Sequence, residues 1–313
     1  MSPQWSEAAD FIEKQQFEQA YDVVKAILAE GKKGSKEHVL ALVKLTQLRI
    51  ALHGYETAVK DLKAAEWPKD QVAKAVLNLF YAQALRQYAS QYAWEIRQRE
   101  QIASSEELDL KTWTQSQIQD AIVAAYNEVW VDREAYGGIK KDALPEYLDA
   151  NDYPAGIRPT LRDTISYLYA SLLANSAYWS ATESNEAYLL NVNDLLTLAK
   201  GSPEKHPLQR ISRILTDLEA WHKSQGNVGA ALEARLELCR LLSKHFTVAQ
   251  DALAIRTNLE NTLKEAESDS WWAEGMAVLA ELTMLDESWD SLNKARQIAL
   301  KGIEAFPHSQ GAR

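Results

Sequence analysis

The run from Leu208 to Trp221 constrains the chain more than any other stretch. Leu208, Ile211, Ile214, Leu215, Leu218 and Trp221 recur at three- and four-residue spacing, the period that lines one face of an α-helix and not of a strand. A face that wide needs a cover. Across the break at Gln225-Gly226, the residues Leu232, Leu236, Cys239, Leu242 and Phe246 keep the same period and supply it. The unit is a helical hairpin, and the rest of the chain repeats it. With only 12 Gly and 8 Pro in 313 residues there is little room for the dense turns of a sheet protein, while the abundant Ala, Leu, Glu, Lys and Gln favour helix almost everywhere. The expected class is all-α, stacked hairpins with roughly a dozen helices and no strand.

Taken in order, helices are expected from Trp5 to Lys14, Phe17 to Glu30, Lys36 to His53 and Tyr55 to Ala65, the last stopped by Trp67-Pro68. Aligning the turns exposes a repeat: Gln16-Phe17 then Ala20, Gly54-Tyr55 then Ala58, Gly226-Asn227 then Ala230, and Ser288-Trp289 then Leu292. A turn residue, a bulky or polar residue opening the second helix and a small residue three further on are what close hairpin packing asks for. With Phe306-Pro307 closing the final helix, the pattern resembles a degenerate tetratricopeptide repeat, an irregular α-solenoid without the full Trp, Leu, Gly, Tyr signature and without even spacing.

A longer helical run is expected from Asp70 to about Ala103, with Leu77, Tyr81, Leu85 and Tyr88 as a core stripe or, alternatively, an aromatic platform. Ser104 to Thr112 reads as an acidic loop, and Thr114 with Gln117 as a capping box opening a helix through Ile118, Ile122, Ala125, Tyr126 and Val129. Gly137-Gly138 ends that region. The stretch from Tyr153 to Leu198 then reads as the seam between two helical layers, 1–152 and 153–313, or the middle of one continuous superhelix. Its helix is expected to open with Pro159 and Thr160, just after Arg158, and to bury Leu161, Ile165, Leu168, Leu172 and Leu173. Asp163, beside Arg158 and Arg162, is the expected anchoring ion pair. Ser180 with Glu183 offers another capping box, and Gly201-Ser202-Pro203 a stop and restart. Helices around Ile255, Leu259 and Leu263, around Trp272, Met276 and Leu279, and around Leu292, Ala295, Ala299 and Ile303 complete the chain.

The residues show no chemistry that would make an enzyme, and no catalytic, cofactor or metal residue is assigned. The six histidines stand at positions 38, 53, 206, 222, 245 and 308 without metal-ligand spacing or an HExxH motif. EGKKGSK follows a helix and lacks the phosphate-loop spacing, so it reads as a hairpin loop. A net charge of −10 without a Lys/Arg cluster speaks against nucleic acid as a partner. Cys239 is expected as a small core residue. No run of about 18 apolar residues exists for a transmembrane span, and Met1 leads into SPQWSEAADF with no apolar leader core. Contact with a protein partner falls to aromatics: Tyr88, Tyr92 and Trp94, and the pair Trp271-Trp272, which either presents an exposed anchor or divides between core and rim.

Several phrases occur in order: FEQAYDVVKAILAEGKKG with VLALVKLTQLRIAL, then LNLFYAQALRQYASQYAWEIRQRE, LDLKTWTQSQIQDAIVAAYNE, LPEYLDANDY and RPTLRDTISYLYASLL. Together they make residues 17–198 resemble the N-terminal helical region of large bacterial alpha-2-macroglobulin-like proteins. The resemblance implies a periplasmic or cell-envelope location and a protease-trap setting. It implies no trapping residue, because Cys239 lies in LCRL and not in a CxEQ thioester. Such proteins continue into macroglobulin domains beyond the position of PHSQGAR, so the resemblance implies a module that scaffolds, docks or tethers, with downstream domains or another envelope protein as partner. A free-standing tetratricopeptide-like peptide-binding adaptor in the cytoplasm is the alternative.

Overall fold

The computed structural model describes residues 2–99, 109–149, 151–198, 204–286 and 288–312. The expected Gly201-Ser202-Pro203 break and most of the expected acidic loop before Thr112, as well as the stretch from 100 to Ala103, lie outside them. Among the described residues the chain is all-α, with fifteen α-helices and one isolated bridge, Lys140 to Thr160, in place of any strand. Three of the fifteen have five or six residues, which leaves twelve longer ones. No helix among the described residues is long and apolar enough to cross a membrane.

The chain divides into two compact units, one of residues 1–136 with 142–149 and the other of residues 137–141 with 150–313. The first contains α1 (Pro3–Glu13), α2 (Phe17–Glu30), α3 (Lys36–Ala51), α4 (Tyr55–Ala64), α5 (Gln71–Gln91), α6 (Ala93–Arg97) and α7 (Gln115–Val131). Each helix from α1 to α5 packs on the next, and α5 also packs on α3 and α7. The expected long helix breaks at Tyr92, between α5 and α6. Arg99 donates to the carbonyls of Leu110 and Trp113, and the Tyr88 hydroxyl donates to the Leu110 carbonyl, so the chain entering α7 is tied to α5. The expected capping box of Thr114 and Gln117 then opens α7.

The second unit contains α8 (Leu161–Leu173), α9 (Ala181–Glu186), α10 (Val192–Leu196), α11 (Pro207–Ser224), α12 (Val228–Ser243), α13 (Ala249–Glu265), α14 (Trp272–Met284) and α15 (Ser291–Ala305). Here too neighbours in sequence are neighbours in space: α11 packs on α12, α12 on α13, α13 on α14 and α14 on α15, while α8 packs on α11 and α12 also meets α14.

One turn builds three of these hairpins. Gln15, His53 and Gly226 adopt left-handed φ of 57°, 60° and 74°. The following amides, of Gln16, Gly54 and Asn227, reach back to the carbonyls of Phe11, Arg49 and His222 at 2.8, 2.7 and 3.0 Å. This is the Schellman closure of the first helix, and its last residue caps the second. The third turn is shifted by one from the sequence alignment: the cap equivalent to Gln16 and Gly54 is Asn227, not Gly226. Ala20, Ala58 and Ala230 are buried as expected. Leu292 is not. It is 66% exposed, because α15 turns Ser291, Ala295 and Gly302 inward instead.

The left-handed positions carry a cost that a side chain pays and glycine does not, about 1–2 kcal/mol. Gln15 is exposed, and a Cβ on Gly226 would meet nothing. Gln15→Gly should therefore raise the unfolding free energy by about 1 kcal/mol and Gly226→Ala lower it by a similar amount. Urea unfolding checks this; shifts of the same sign in both variants would contradict the turn geometry.

Candidate functional site

The entry to α8 is the most polar part of the second unit's interior. Arg158 holds a left-handed backbone (φ 50°) two residues before the cap of α8. Its guanidinium lies 3.6 Å from the centre of the Tyr167 ring and 4.4 Å from that of Tyr153. It donates from Nε and a terminal nitrogen to one oxygen of Glu233 on α12, at 3.1 and 2.5 Å, and to Glu237 at 3.1 Å. The other Glu233 oxygen accepts from Trp271 Nε1 at 2.8 Å. Arg240, one helical turn beyond Glu237, approaches Glu233 at 3.7 Å and pairs with Glu274 of α14. Burial pushes the Glu233 carboxyl up from its ordinary range, and Arg158 and Arg240 pull it the other way. The buried phenol of Tyr167 is held well above its usual range by the same loss of water.

The expected seam residues are found here with different partners. Thr160 is the N-cap of α8 and Leu161 its first, fully buried residue; Pro159 stands one position before the cap, outside the helix. Asp163 does not pair with either arginine. One of its oxygens accepts from the Thr160 amide and hydroxyl at 3.0 and 2.6 Å, closing a capping box, and the other accepts from His222 Nε2 of α11 at 2.7 Å. Consecutive positions on a helix point about 100° apart. Arg162 accordingly faces Asp217 of α11, at 2.7 Å, while its guanidinium lies over the Trp221 ring. Leu168, expected in the core, is 42% exposed because Thr164, Leu168 and Ser171 form the one outward line of α8. A second ionic row joins α11 to α12 through Glu219 and Arg235, and Arg235 also donates to the Leu196 carbonyl.

These ionisable groups are paired with one another, although Arg162 Nε, Tyr167 Oη, His222 Nδ1 and Arg235 Nε are buried without a hydrogen-bond partner among the described residues. They brace α8, α11, α12 and α14. Among the described residues no three His, Cys, Asp or Glu side chains are grouped to hold a metal ion. Cys239 is buried, and its thiol is pushed up to about 12 by burial, which keeps it protonated and unreactive at neutral pH.

Of the aromatics expected at a contact surface, Tyr88 and Trp271 are core residues, each with its polar atom committed internally. Tyr92 is half-buried against Tyr88 and Tyr55. Trp272 is half-buried against Phe306, so of the two readings of the Trp271-Trp272 pair the exposed anchor is not found and one ring lies in the core. Trp94 is on the surface at 69% exposure.

The surface that stands out lies elsewhere. At the α14–α15 end Leu285 and Trp289 are 70% and 93% exposed, and Met284, Leu292 and Ile303 are exposed with them. On the same unit Pro154, Trp271, Phe306 and Pro307 line an open concavity of about 430 Å³ with Ser270, His308 and Gln310 at its polar edge. Sequence reasoning missed this end because it assigned Leu292 to the interior. Neither family models nor curated proteins match the sequence, and no solved structure matches the fold.

Removing one member of the Arg158–Glu233 pair strands the other. Glu233→Ala should lower the unfolding free energy by about 3–5 kcal/mol, whereas replacing both partners, as Arg158→Met with Glu233→Leu, should lose less than the single variant. Equilibrium unfolding of the two variants checks this. A double variant that loses at least as much as Glu233→Ala would show that the charges are not compensating each other.

Proposed function

We propose that this chain is a non-catalytic protein-interaction scaffold that docks its partner at the α14–α15 end. The observation that carries the reading is the contrast within one unit. Its buried charges are closed into pairs that hold helices together, while Trp289, Leu285 and Leu292 stand exposed together at one hairpin end, the other strongly exposed apolar pair of the unit, Tyr188 and Leu189, lying between α9 and α10. Large apolar groups in one place on a surface are the usual mark of a protein contact.

The ordered phrases from FEQAYDVV to RPTLRDTISYLYASLL support placing the chain as the N-terminal helical region of a bacterial alpha-2-macroglobulin-like protein. In that setting it works in the periplasm or cell envelope, and the partner is a downstream domain of the same polypeptide or another envelope protein. The concavity lined by Pro154, Trp271, Phe306 and Pro307 favours a second reading, a cytoplasmic peptide-binding adaptor, since its size suits an apolar side chain with a short polar flank. The gene beyond the codon for Arg313 separates the two: in-frame macroglobulin domains support the first, an immediate stop the second.

The docking reading itself is tested by photocrosslinking. A benzophenone amino acid in place of Trp289 should give a discrete protein adduct in cells of the source organism, and the same group in place of Glu18, on an exposed polar position of α2, should not. Absence of an adduct at position 289 would overturn the scaffold reading.

A further inference from the structure

Helix α15 has two apolar faces and, among the described residues, a neighbouring helix for only one. Its inward face, Ser291, Ala295 and Gly302, lies on α14; a Cβ at Gly302 would sit 3.0 Å from that of Met276 and 3.3 Å from the Ala273 carbonyl. Besides α14, α15 packs on the short turn Gln310–Ala312. Leu292, Arg296, Ala299 and Ile303 follow at i, i+4, i+7 and i+11, which places them within an arc of about 60° on a different side of the helix. Leu292, Arg296 and Ile303 are exposed and Ala299 partly so. The strip is about 16 Å long, and Trp289 and Leu285 stand before its start.

The contrast with α1 shows that this is not simply what a helix with one long neighbour looks like. α1 also packs on a single long helix, yet its exposed positions are Pro3, Ser6, Glu7, Ala9, Asp10 and Glu13, with no large apolar side chain among them. That is the polar face by which helical arrays close. α15 instead shows the i, i+4, i+7, i+11 ladder by which one helix receives another.

Arg296 identifies the partner's chemistry. It sits near the midpoint of the strip and makes no hydrogen bond or ion pair among the described residues. A guanidinium inside an apolar seam requires a carboxylate opposite it once water is removed. A second copy of α15 does not meet that need. Antiparallel self-pairing centred on the strip would bring two Arg296 side chains within roughly 5 Å along the axis, and like charges in a seam oppose association.

Building on the docking reading above, we infer that the Leu292–Ile303 face of α15 binds an amphipathic helix of a partner that carries an acidic residue at the centre of its apolar seam. The probes are two fluorescein-labelled helical peptides with leucines at i, i+4, i+7 and i+11 that differ only in a central Glu or Lys. Measured by anisotropy on the whole chain, the Glu peptide should bind about tenfold or more tightly than the Lys peptide. Arg296→Glu should reverse that order, and Leu292→Asp with Ile303→Asp should remove binding of both. Equal affinities, a preference untouched by Arg296→Glu, or no binding of either peptide would overturn the inference. So would a dimer in sedimentation velocity that Leu292→Asp with Ile303→Asp dissolves, since the face would then belong to a second copy. All three positions are exposed, and Arg296→Glu alone decides the matter should the double variant fail to fold. A positive crosslink at position 289 with no peptide preference would refute the acidic helix and leave the docking reading standing; no crosslink at all would refute the docking reading itself.

Discussion

Close approach of paired helices through small residues is the constraint from which the rest follows. Ala20, Ala58 and Ala231 sit in the first turn of α2, α4 and α12 and are almost wholly buried, so the second helix of each hairpin rests on the first. In α15 the same task falls to Ser291, Ala295 and Gly302. Because even a Cβ on Gly302 would press on Met276 Cβ and the Ala273 carbonyl of α14, at 3.0 and 3.3 Å, the rotation of α15 about its axis is constrained. That rotation is what turns Leu292, Arg296, Ala299 and Ile303 outward. The packing of one face thus decides the exposure of the other, and the proposed docking surface is a consequence of hairpin geometry.

The buried charges act at a different level. Apolar stripes alone would let α11 and α12 pack in several registers, since Leu, Ile and Ala interchange readily. Glu233 accepts from Arg158 and Trp271 at once, and Asp163 from Thr160 and His222. Each set of partners meets in only one arrangement. Such pairs add little net stability over well-packed hydrocarbon, but a mispaired register would leave a charge without compensation. In this unit they specify the stacking of α8, α11, α12 and α14.

What was legible in the sequence was local. Helix limits from Phe17 to Ala64 follow from periodicity and turn residues, and the capping boxes at Thr114 and Ser180 from a three-residue spacing. The slip at Gly226 has a simple cause. In the first two turns Gln15 and His53 take the left-handed position, so the visible Gly54 is the cap; in the third, glycine takes the left-handed position and Asn227 the cap. The polar network was not legible, because Arg158 meets Glu233 across 75 residues and Asp163 meets His222 across 59. Nor was the outward face of α15: periodicity shows that a helix has apolar positions and is silent on how many of them a neighbour covers. For Tyr88 and Trp271 periodicity leaves core and surface both open; each is buried because its polar atom finds a partner inside, the Leu110 carbonyl and Glu233.

The central claim is that the Leu292–Ile303 strip serves a partner and not the fold. The unfolding free energy of Leu292→Ser combined with Ile303→Ser measures this most directly. The account predicts a value within about 0.5 kcal/mol of the parent chain, as for exposed positions generally. A loss of about 2 kcal/mol or more would mean that these side chains are packed within the isolated chain in solution, and would contradict it.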